Sequence, residues 1–251
     1  MRRIAVSLTK GGVGKTTTAV TLAHGLALRG RKVLLVDCDT LGQAGPLLGL
    51  SPTVGLADLL SGNLPPDKAI VEARKNLDLL AGGRALDDAR RAIDRDGPGG
   101  VLTLRRALEP VEPKYDYVIH DTSPGYDSLT VNALFHADDV LIPVSMAALS
   151  VKGLLDFAHR IKKTGAHDPS VGTLYILPSF LNEGLQHSMD IYDLLQTYFS
   201  KQLCQPIRSS AHILEASGHG KTIFEYAPDS QGAHDYKSLV DRIERGTPGR
   251  R

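Results

Sequence analysis

The chain has 251 residues, and its 29 Lys and Arg residues nearly balance 28 Asp and Glu residues. A chain of this length can bury one substantial core, so we expect a single domain over 1–245 and a disordered basic tail at 246–251. The balanced charge excludes a global attraction to nucleic acid or membranes, so any basic surface must be local.

Cysteine content and hydropathy predict a soluble cytoplasmic protein. Cys38 and Cys204 are too few for a disulfide framework or a Cys-rich zinc site, and we expect both to be buried thiols. The first apolar run begins at Arg3, which leaves no room for a signal peptide after the initiator Met. No apolar run reaches the roughly 18 residues of a membrane span.

Short runs rich in Val, Ile and Leu alternate with helical patterns along the chain. Their continuous apolarity indicates strands covered on both faces, and the alternation with helices indicates parallel crossover units. The sequence therefore predicts an α/β fold with a doubly wound, mostly parallel sheet and helices on both faces. The predicted strands are 4–8, 32–36, 77–80, 117–120, 140–144 and 173–177.

Helical patterns fill several of the intervals. The first predicted helix spans 16–29 and ends at Gly30, and another spans 149–163. The segment 82–100 differs, because charges crowd it and Gly97-Pro98-Gly99-Gly100 breaks any helix there. We expect a solvated surface helix that ends in a flexible turn.

A glycine-rich segment joins the first strand to the first helix, and it reads Lys10-Gly11-Gly12-Val13-Gly14-Lys15-Thr16-Thr17. Its glycines let backbone N–H groups turn towards phosphate oxygens, while the following helix points its positive end at the same anion. Thr9 stands where the general P-loop pattern has Gly, but Lys15 can still reach the β- and γ-phosphates and Thr16 can bind Mg²⁺. The segment therefore predicts binding of ATP with Mg²⁺.

Aspartates follow two of the predicted strands. Val33 to Val36 leads into Asp37 and Asp39, and Tyr117 to His120 leads into Asp121. Ligands of open α/β sheets lie beyond the carboxyl ends of the strands, and Mg²⁺ keeps most of its water while binding few carboxylates. Asp121 is therefore the predicted Walker B residue. Taken alone, each aspartate could equally cap a helix or a turn.

The segment 10–17 resembles the deviant Walker A motif of the ParA/MinD family of ATPases, in which Lys10 fills the place of an additional lysine. The resemblance implies an ATP-sandwich homodimer in which this lysine contacts the nucleotide of the other subunit. It also implies that Asp37 helps to hold the metal shell and that Asp39 orients the attacking water. Thr40-Leu41-Gly42-Gln43 replaces the family's usual Pro-Gln-Gly-Asn, which bears on the hydrolysis rate.

The C-terminal segments 207–221, 225–226 and 230–236 resemble the Soj-type ParA proteins that lack an N-terminal helix-turn-helix domain. This resemblance implies partition or positioning of a cargo, binding to nonspecific DNA in the ATP dimer, hydrolysis stimulated by a ParB-like or other adaptor, and a nucleoid-associated location. Ser209 and His212 stand where the family usually has arginines. The candidate DNA contacts are Arg160, Lys162, Lys163, Lys201 and Arg208. Family members also close over the adenine near two strand ends, which makes Pro178 and Pro206 the candidate base contacts.

Three rival functions remain open from the sequence. A MinD-like ATPase that uses a membrane or protein surface needs a free apolar helix face, but we interpret the stripe Tyr236, Leu239, Val240 and Ile243 as core, with no stable membrane anchor. An electron carrier similar to nitrogenase iron protein holds a cluster between two subunits with two cysteines from each, but Cys38 lies between Asp37 and Asp39 and Cys204 precedes a predicted buried strand, so neither is in the expected setting. A nucleotide-gated recruitment switch with negligible hydrolysis is compatible with the altered segment after Asp39.

Overall fold

The computed structural model describes residues 1–165 and 174–246, and it describes the side chains of these residues except at 148, 149 and 161–165. Most of the predicted basic tail, residues 247–251, lies outside the described residues. The division into one domain and a tail therefore stays a prediction.

Within the described residues, eight strands form one sheet. The strands are β1 (Arg2–Val6), β2 (Val33–Asp37), β3 (Val71–Arg74), β4 (Leu77–Leu80), β5 (Tyr117–Asp121), β6 (Asp139–Ser145), β7 (Leu174–Leu181) and β8 (Ile207–Arg208). Their order in the sheet is β3-β4-β2-β5-β1-β6-β7-β8. All neighbouring strands pair in parallel except β3 and β4, which pair antiparallel. This topology confirms the predicted doubly wound, mostly parallel sheet.

Helices cover both faces of the sheet. The helices are α1 (Lys15–Leu28), α2 (Ala44–Leu47), α3 (Leu56–Leu60), α4 (Pro66–Ala69), α5 (Leu86–Arg95), α6 (Thr103–Leu108), α7 (Ser128–His136), α8 (Ala148–Gly165), α9 (Gln186–Phe199), α10 (Ala211–Gly218), α11 (Ile223–Tyr226) and α12 (Gln231–Arg245). The predicted helices 16–29 and 149–163 correspond closely to α1 and α8.

Three local predictions are corrected by the structure. Strand β1 ends at Val6, so Ser7 and Leu8 already belong to the loop that leads to α1. Strand β3 was missed because it is a four-residue edge strand that contains charged residues, and edge strands need no continuous apolar run. The turn after α5 is a 3₁₀ helix over Gly97–Leu102, in which Gly100 is buried rather than exposed.

The sheet is buried on both faces because its strands carry apolar side chains at consecutive positions. On β2, Val33 and Leu35 pack in the core under α1 and α12, whereas Leu34 and Val36 pack in the core under α3, α5 and α6. Cys38 and Cys204 are both buried, as predicted, and they lie in different cores. They cannot share the single exposed site that an electron carrier's cluster needs.

Helix α12 packs its apolar stripe against α1 and the sheet. Tyr236, Leu239, Val240 and Ile243 are at most 3% exposed, which confirms the interpretation of this stripe as core. Within the described ranges, no helix is both long enough and apolar enough to cross a membrane.

The contact between α1 and α12 depends on Gly25. A Cβ atom on Gly25 would lie 2.5 Å from Val240 Cγ2 and 2.9 Å from the Phe224 ring. We expect Gly25→Ala to lower the free energy of unfolding by about 1–3 kcal/mol, because the overpacking exceeds the gain in helix propensity. Urea unfolding measures this change.

Gly153 in α8 provides the matched control, since a Cβ atom there would meet no heavy atom of the described residues within 4 Å. We expect Gly153→Ala to raise the free energy of unfolding by about 0.5–1 kcal/mol, because alanine favours the helix. If both variants were stabilised equally, the close contact at Gly25 would be contradicted.

Candidate functional site

The loop between β1 and α1 has the backbone geometry of an anion site. Gly12 and Gly14 adopt left-handed conformations, with φ of 70° and 87°. Gly14 is also the N-cap of α1 and supplies no side-chain cap, so the first N–H groups of the helix stay available to a ligand. These groups and the positive end of α1 favour phosphate, as predicted for this segment.

The two lysines of the loop are held inside this chain. Lys15 is 6% exposed, and its Nζ donates a hydrogen bond to the carbonyl oxygen of Lys10 at 2.9 Å. Burial lowers the pKa of Lys15, although the carboxylates of Asp121 and Asp39 act in the opposite direction. Lys10 Nζ donates to Ser150 Oγ at 2.8 Å. Lys10 therefore contacts its own subunit here, while its predicted contact across a dimer stays a prediction.

Asp121 ends β5 beside the phosphate loop and is fully buried. Within the described part of the chain, neither of its carboxylate oxygens has a hydrogen-bond partner of normal geometry. Burial and the nearby Asp37 carboxylate raise the pKa of Asp121 well above its usual range, while the Thr16 hydroxyl and the Lys15 ammonium lower it. Two unsatisfied buried oxygens fit a hydrated Mg²⁺ ion, which accepts few carboxylate ligands.

Asp37 and Asp39 differ in the hydrogen bonds that their carboxylates accept. Asp37 accepts hydrogen bonds from the backbone N–H groups of Asp39 at 2.9 Å and Ala44 at 3.0 Å, and burial raises its pKa. Both oxygens of Asp37 therefore fix the loop that leads into α2. Asp39 accepts one hydrogen bond from the Leu41 N–H group and lines the cleft over the phosphate loop. The roles assigned to them by resemblance stay predictions.

Gly82 and Gly83 support these aspartates, a role that the sequence analysis missed. A Cβ atom on Gly82 would lie 2.5 Å from the Asp39 carbonyl oxygen and 2.7 Å from the Asp37 carboxylate. Gly83 donates its N–H group to the same Asp39 carbonyl oxygen at 3.0 Å. The sequence signal was two adjacent glycines directly after the strand β4, at the same edge of the sheet as the aspartates.

A cleft of about 340 Å³ lies over the loop. Its lining residues are Gly12, Gly14, Lys15, Thr16, Thr17, Asp39, Leu41, Gln43, Pro124 and Phe180. Pro178, the predicted base contact, is instead buried within β7 beside Val144, and the half-buried Pro206 does not line this cleft either. Phe180, two residues beyond Pro178, reaches the loop because the chain bends there.

Phe180 adopts a left-handed backbone conformation with φ of 59°. For a bulky residue this conformation costs about 1–2 kcal/mol, so it persists only where the surrounding structure imposes it. The sequence does not predict this conformation at Phe180, since a left-handed position is normally signalled by glycine or asparagine.

Two of the candidate DNA contacts, Lys201 and Arg208, lie apart from each other. Lys201 is exposed near the start of β7, whereas Arg208 pairs with Leu181 at the end of the same strand. The two positions therefore lie near opposite ends of β7. Arg208 also forms an ion pair with Asp235 at 2.6 Å, which neutralises much of its charge towards an external phosphate.

The remaining candidates lie on α8. The exposed Arg160 has its guanidinium 5.9 Å from the centre of the Tyr126 ring. The side chains of Lys162 and Lys163 lie outside the described residues. Lys201 has a basic neighbour that the sequence analysis missed, because Arg242 Nη2 donates to the Lys201 carbonyl oxygen at 3.0 Å.

Comparison with known proteins places the whole chain in one family. The sequence profile of a family described as AAA domain matches residues 1–170. A chromosome-partitioning ATPase Soj of Thermus thermophilus is 33% identical over 245 residues, which cover 97% of this chain and 95% of that protein. The sporulation initiation inhibitor protein Soj of Bacillus subtilis is 32% identical over 251 residues, which cover 96% and 97%. The chain belongs to the ParA/MinD family of ATPases and is Soj-like.

Solved structures agree with this assignment. The structure of cobyrinic acid a,c-diamide synthase from Mycobacterium smegmatis, with bound ATP analog and magnesium, is 29% identical, with a TM-score of 0.83 and coverage of 98% and 95% of the two chains. The complex of a Cyanothece McdA variant with ATP has a TM-score of 0.85 at 22% identity, with coverage of 97% and 96%, and shows the shared fold.

The unsatisfied carboxylate of Asp121 makes a testable prediction for this ParA-like ATPase. We expect Asp121→Asn to raise the free energy of unfolding of the nucleotide-free protein by about 1–2 kcal/mol at neutral pH, because it removes a buried charge that lies near Asp37. The raised pKa means that stability falls as the pH rises above the unfolded carboxyl value of about 4, so the gain should disappear in acid. Urea unfolding at two pH values, without metal, measures it.

Asp235 provides the control of opposite sign. Burial raises the pKa of Asp235, but hydrogen bonds from Arg208 outweigh it and hold that pKa below its usual value. Asp235→Asn should therefore lose stability at neutral pH, where Asp121→Asn gains it. A loss of stability in both variants would contradict an uncompensated charge on Asp121.

Proposed function

We propose that this chain is a partition ATPase that forms a homodimer around ATP, binds DNA without sequence preference in that state, and leaves DNA after hydrolysis stimulated by an adaptor. The observation that supports this proposal most directly is the phosphate loop with Lys10 in front of it, within a chain similar over its full length to Soj proteins. One of these relatives is named for chromosome partitioning.

ATP and Mg²⁺ are the cofactors of the site. The N–H groups of the loop and Lys15 would hold the phosphates, and Thr16 and Asp121 would hold the metal. Bound Mg²⁺ supplies positive charge that neutralises phosphate oxygens during phosphoryl transfer. The phosphates and the metal would thus satisfy the groups that the chain itself leaves buried without partners.

Dimerisation requires the Lys10 side chain to give up its contact within its own subunit. Its Nζ is hydrogen-bonded to Ser150 Oγ, which in turn is 2.7 Å from Ser145 Oγ. The loop itself is exposed at Gly11 and Gly12, so a second copy has access to it. Exchange of the Ser150 contact for a phosphate contact in the other subunit would make closure of the dimer dependent on ATP.

A continuous set of contacts supports coupling between the nucleotide and the C-terminal segments. Asp37 holds the N-terminus of α2 through Ala44. Beyond the other end of α2, Gly49 approaches Gly220 so closely that a Cβ atom on Gly220 would lie 2.5 Å from the Gly49 Cα atom. Gly220 follows α10, which presents the exposed His212. Movement of the loop after Asp39 would therefore be transmitted to this surface.

DNA binding in the dimer follows from adding phosphate contacts. The salt-dependent part of the binding free energy scales with the number of phosphates neutralised, so two subunits bind DNA far more tightly than one. Among the described residues, Lys201 lies beside Arg242, and Arg245 is exposed on the last turn of α12. This group is a better candidate DNA surface than Arg208, whose charge is paired.

Two variants test the nucleotide cycle. We expect Lys15→Ala to abolish ATP binding, because it removes the ammonium that faces the β- and γ-phosphates. We expect Asp39→Ala to bind ATP, stay dimeric and hydrolyse ATP at least about 100-fold more slowly, because the attacking water loses its orienting group. Sedimentation with ATP and with ADP measures the dimer, and single-turnover phosphate release measures the rate. Normal hydrolysis by Asp39→Ala would refute its role.

DNA binding is tested with duplex DNA in a salt series, with ATP, with ADP and without nucleotide. We expect steep, salt-sensitive binding only with ATP, and we expect Lys201→Ala combined with Arg245→Ala to weaken it at least about tenfold and to reduce the salt slope. Lys68→Ala combined with Lys75→Ala is the matched control, since it also removes two positive charges and both lysines are exposed beside β3 at the far edge of the sheet. ATP-bound dimers that do not bind DNA would instead favour a function in which the protein binds a membrane or protein surface.

A further inference from the structure

Strand β7 contains an irregularity at the end that faces the nucleotide site. Along β8, Ile207 pairs with Ser179 and Arg208 pairs with Leu181, so Phe180 is an extra residue on β7. A bulge of this kind redirects the side chain of the extra residue, and bulges occur often beside active sites. The left-handed φ of 59° at Phe180 belongs to the same irregularity.

The redirected ring lies against the phosphate loop. A Cβ atom on Gly14 would be 3.2 Å from Phe180 Cζ, so the tip of the ring contacts the last glycine of the loop. The Phe180 residue remains 40% exposed at the cleft and therefore gains little burial within the chain alone. A bulky residue in a strained conformation with an exposed ring needs another source of stabilisation.

We propose that Phe180 retains the nucleotide: its ring closes over the phosphate loop beside Gly14 and covers the part that ATP and ADP share. Lys15 faces the β- and γ-phosphates, whereas the loop N–H groups face the α- and β-phosphates, which ATP and ADP share. The ring contacts the loop at Gly14, next to these N–H groups, and lines the cleft above the loop. Phe180 is thus a positioning residue that slows nucleotide release.

This inference rests on the nucleotide binding in the proposed function and is independent of DNA, dimer and adaptor. Because the ring covers the shared part of the nucleotide, its removal should speed the release of ATP and ADP by similar factors. A change in contacts to the γ-phosphate would instead affect ATP alone.

The test measures the dissociation rates of fluorescent ATP and ADP analogues, with Mg²⁺, by competition with unlabelled nucleotide. We expect Phe180→Asn and Phe180→Leu each to release both nucleotides about tenfold faster, which corresponds to loss of one aromatic contact. Phe180→Tyr keeps the ring and should release them at the rate of the unmodified protein.

Thermal unfolding of the nucleotide-free protein separates this role from a structural one. Asn tolerates the left-handed conformation and Leu does not, so Phe180→Asn should be the more stable of the two, although both release nucleotide quickly. Unchanged release rates in both variants would overturn the proposal while leaving nucleotide binding intact. Release rates that follow the stability order, with Phe180→Asn close to the unmodified protein, would also overturn it.

Discussion

The structure depends on three carboxylates buried at the carboxyl edge of a parallel sheet, with one buried lysine near them. Asp37 and Asp121 are directly opposite each other on neighbouring strands, and both are fully buried. Burial raises the pKa of each. The Asp39 carboxylate raises the pKa of Asp37 further, and the Asp37 carboxylate raises that of Asp121, so the ionised forms destabilise the chain without added positive charge. Lys15 supplies one such charge. A bound metal ion would supply the rest of the compensation.

This electrostatic constraint explains the rigid backbone around the site. Asp37 is held by two backbone N–H groups, and Gly82 approaches it too closely for any side chain. The carboxylates therefore cannot relax by turning away into solvent. The repelling charges lower the free energy of unfolding of the ligand-free chain. A bound ligand that compensates these charges raises it again, so ligand binding contributes to the stability of the fold.

Much of the fold follows from the sequence, because strands covered on both faces carry continuous apolar runs. The positions of the aspartates also follow, since each ends such a run. The strand β3 and the left-handed Phe180 could not be predicted, because the edge of a sheet and a bulge are imposed by neighbouring strands rather than by local pattern. Likewise, only the fold shows that Asp235 neutralises Arg208, 27 residues away in sequence. In the sequence, Arg208 is a candidate DNA contact only because of its positive charge.

The two lysines of the loop connect the nucleotide site to the proposed dimer contact. Lys15 Nζ donates to the carbonyl oxygen of Lys10, while Lys10 Nζ donates to Ser150. A phosphate that takes the Lys15 ammonium would leave the Lys10 carbonyl oxygen without its partner and so weaken one of the contacts that fix this part of the loop. Nucleotide binding itself would thus loosen Lys10, which we propose contacts the other subunit, and dimer formation would follow ATP binding rather than precede it.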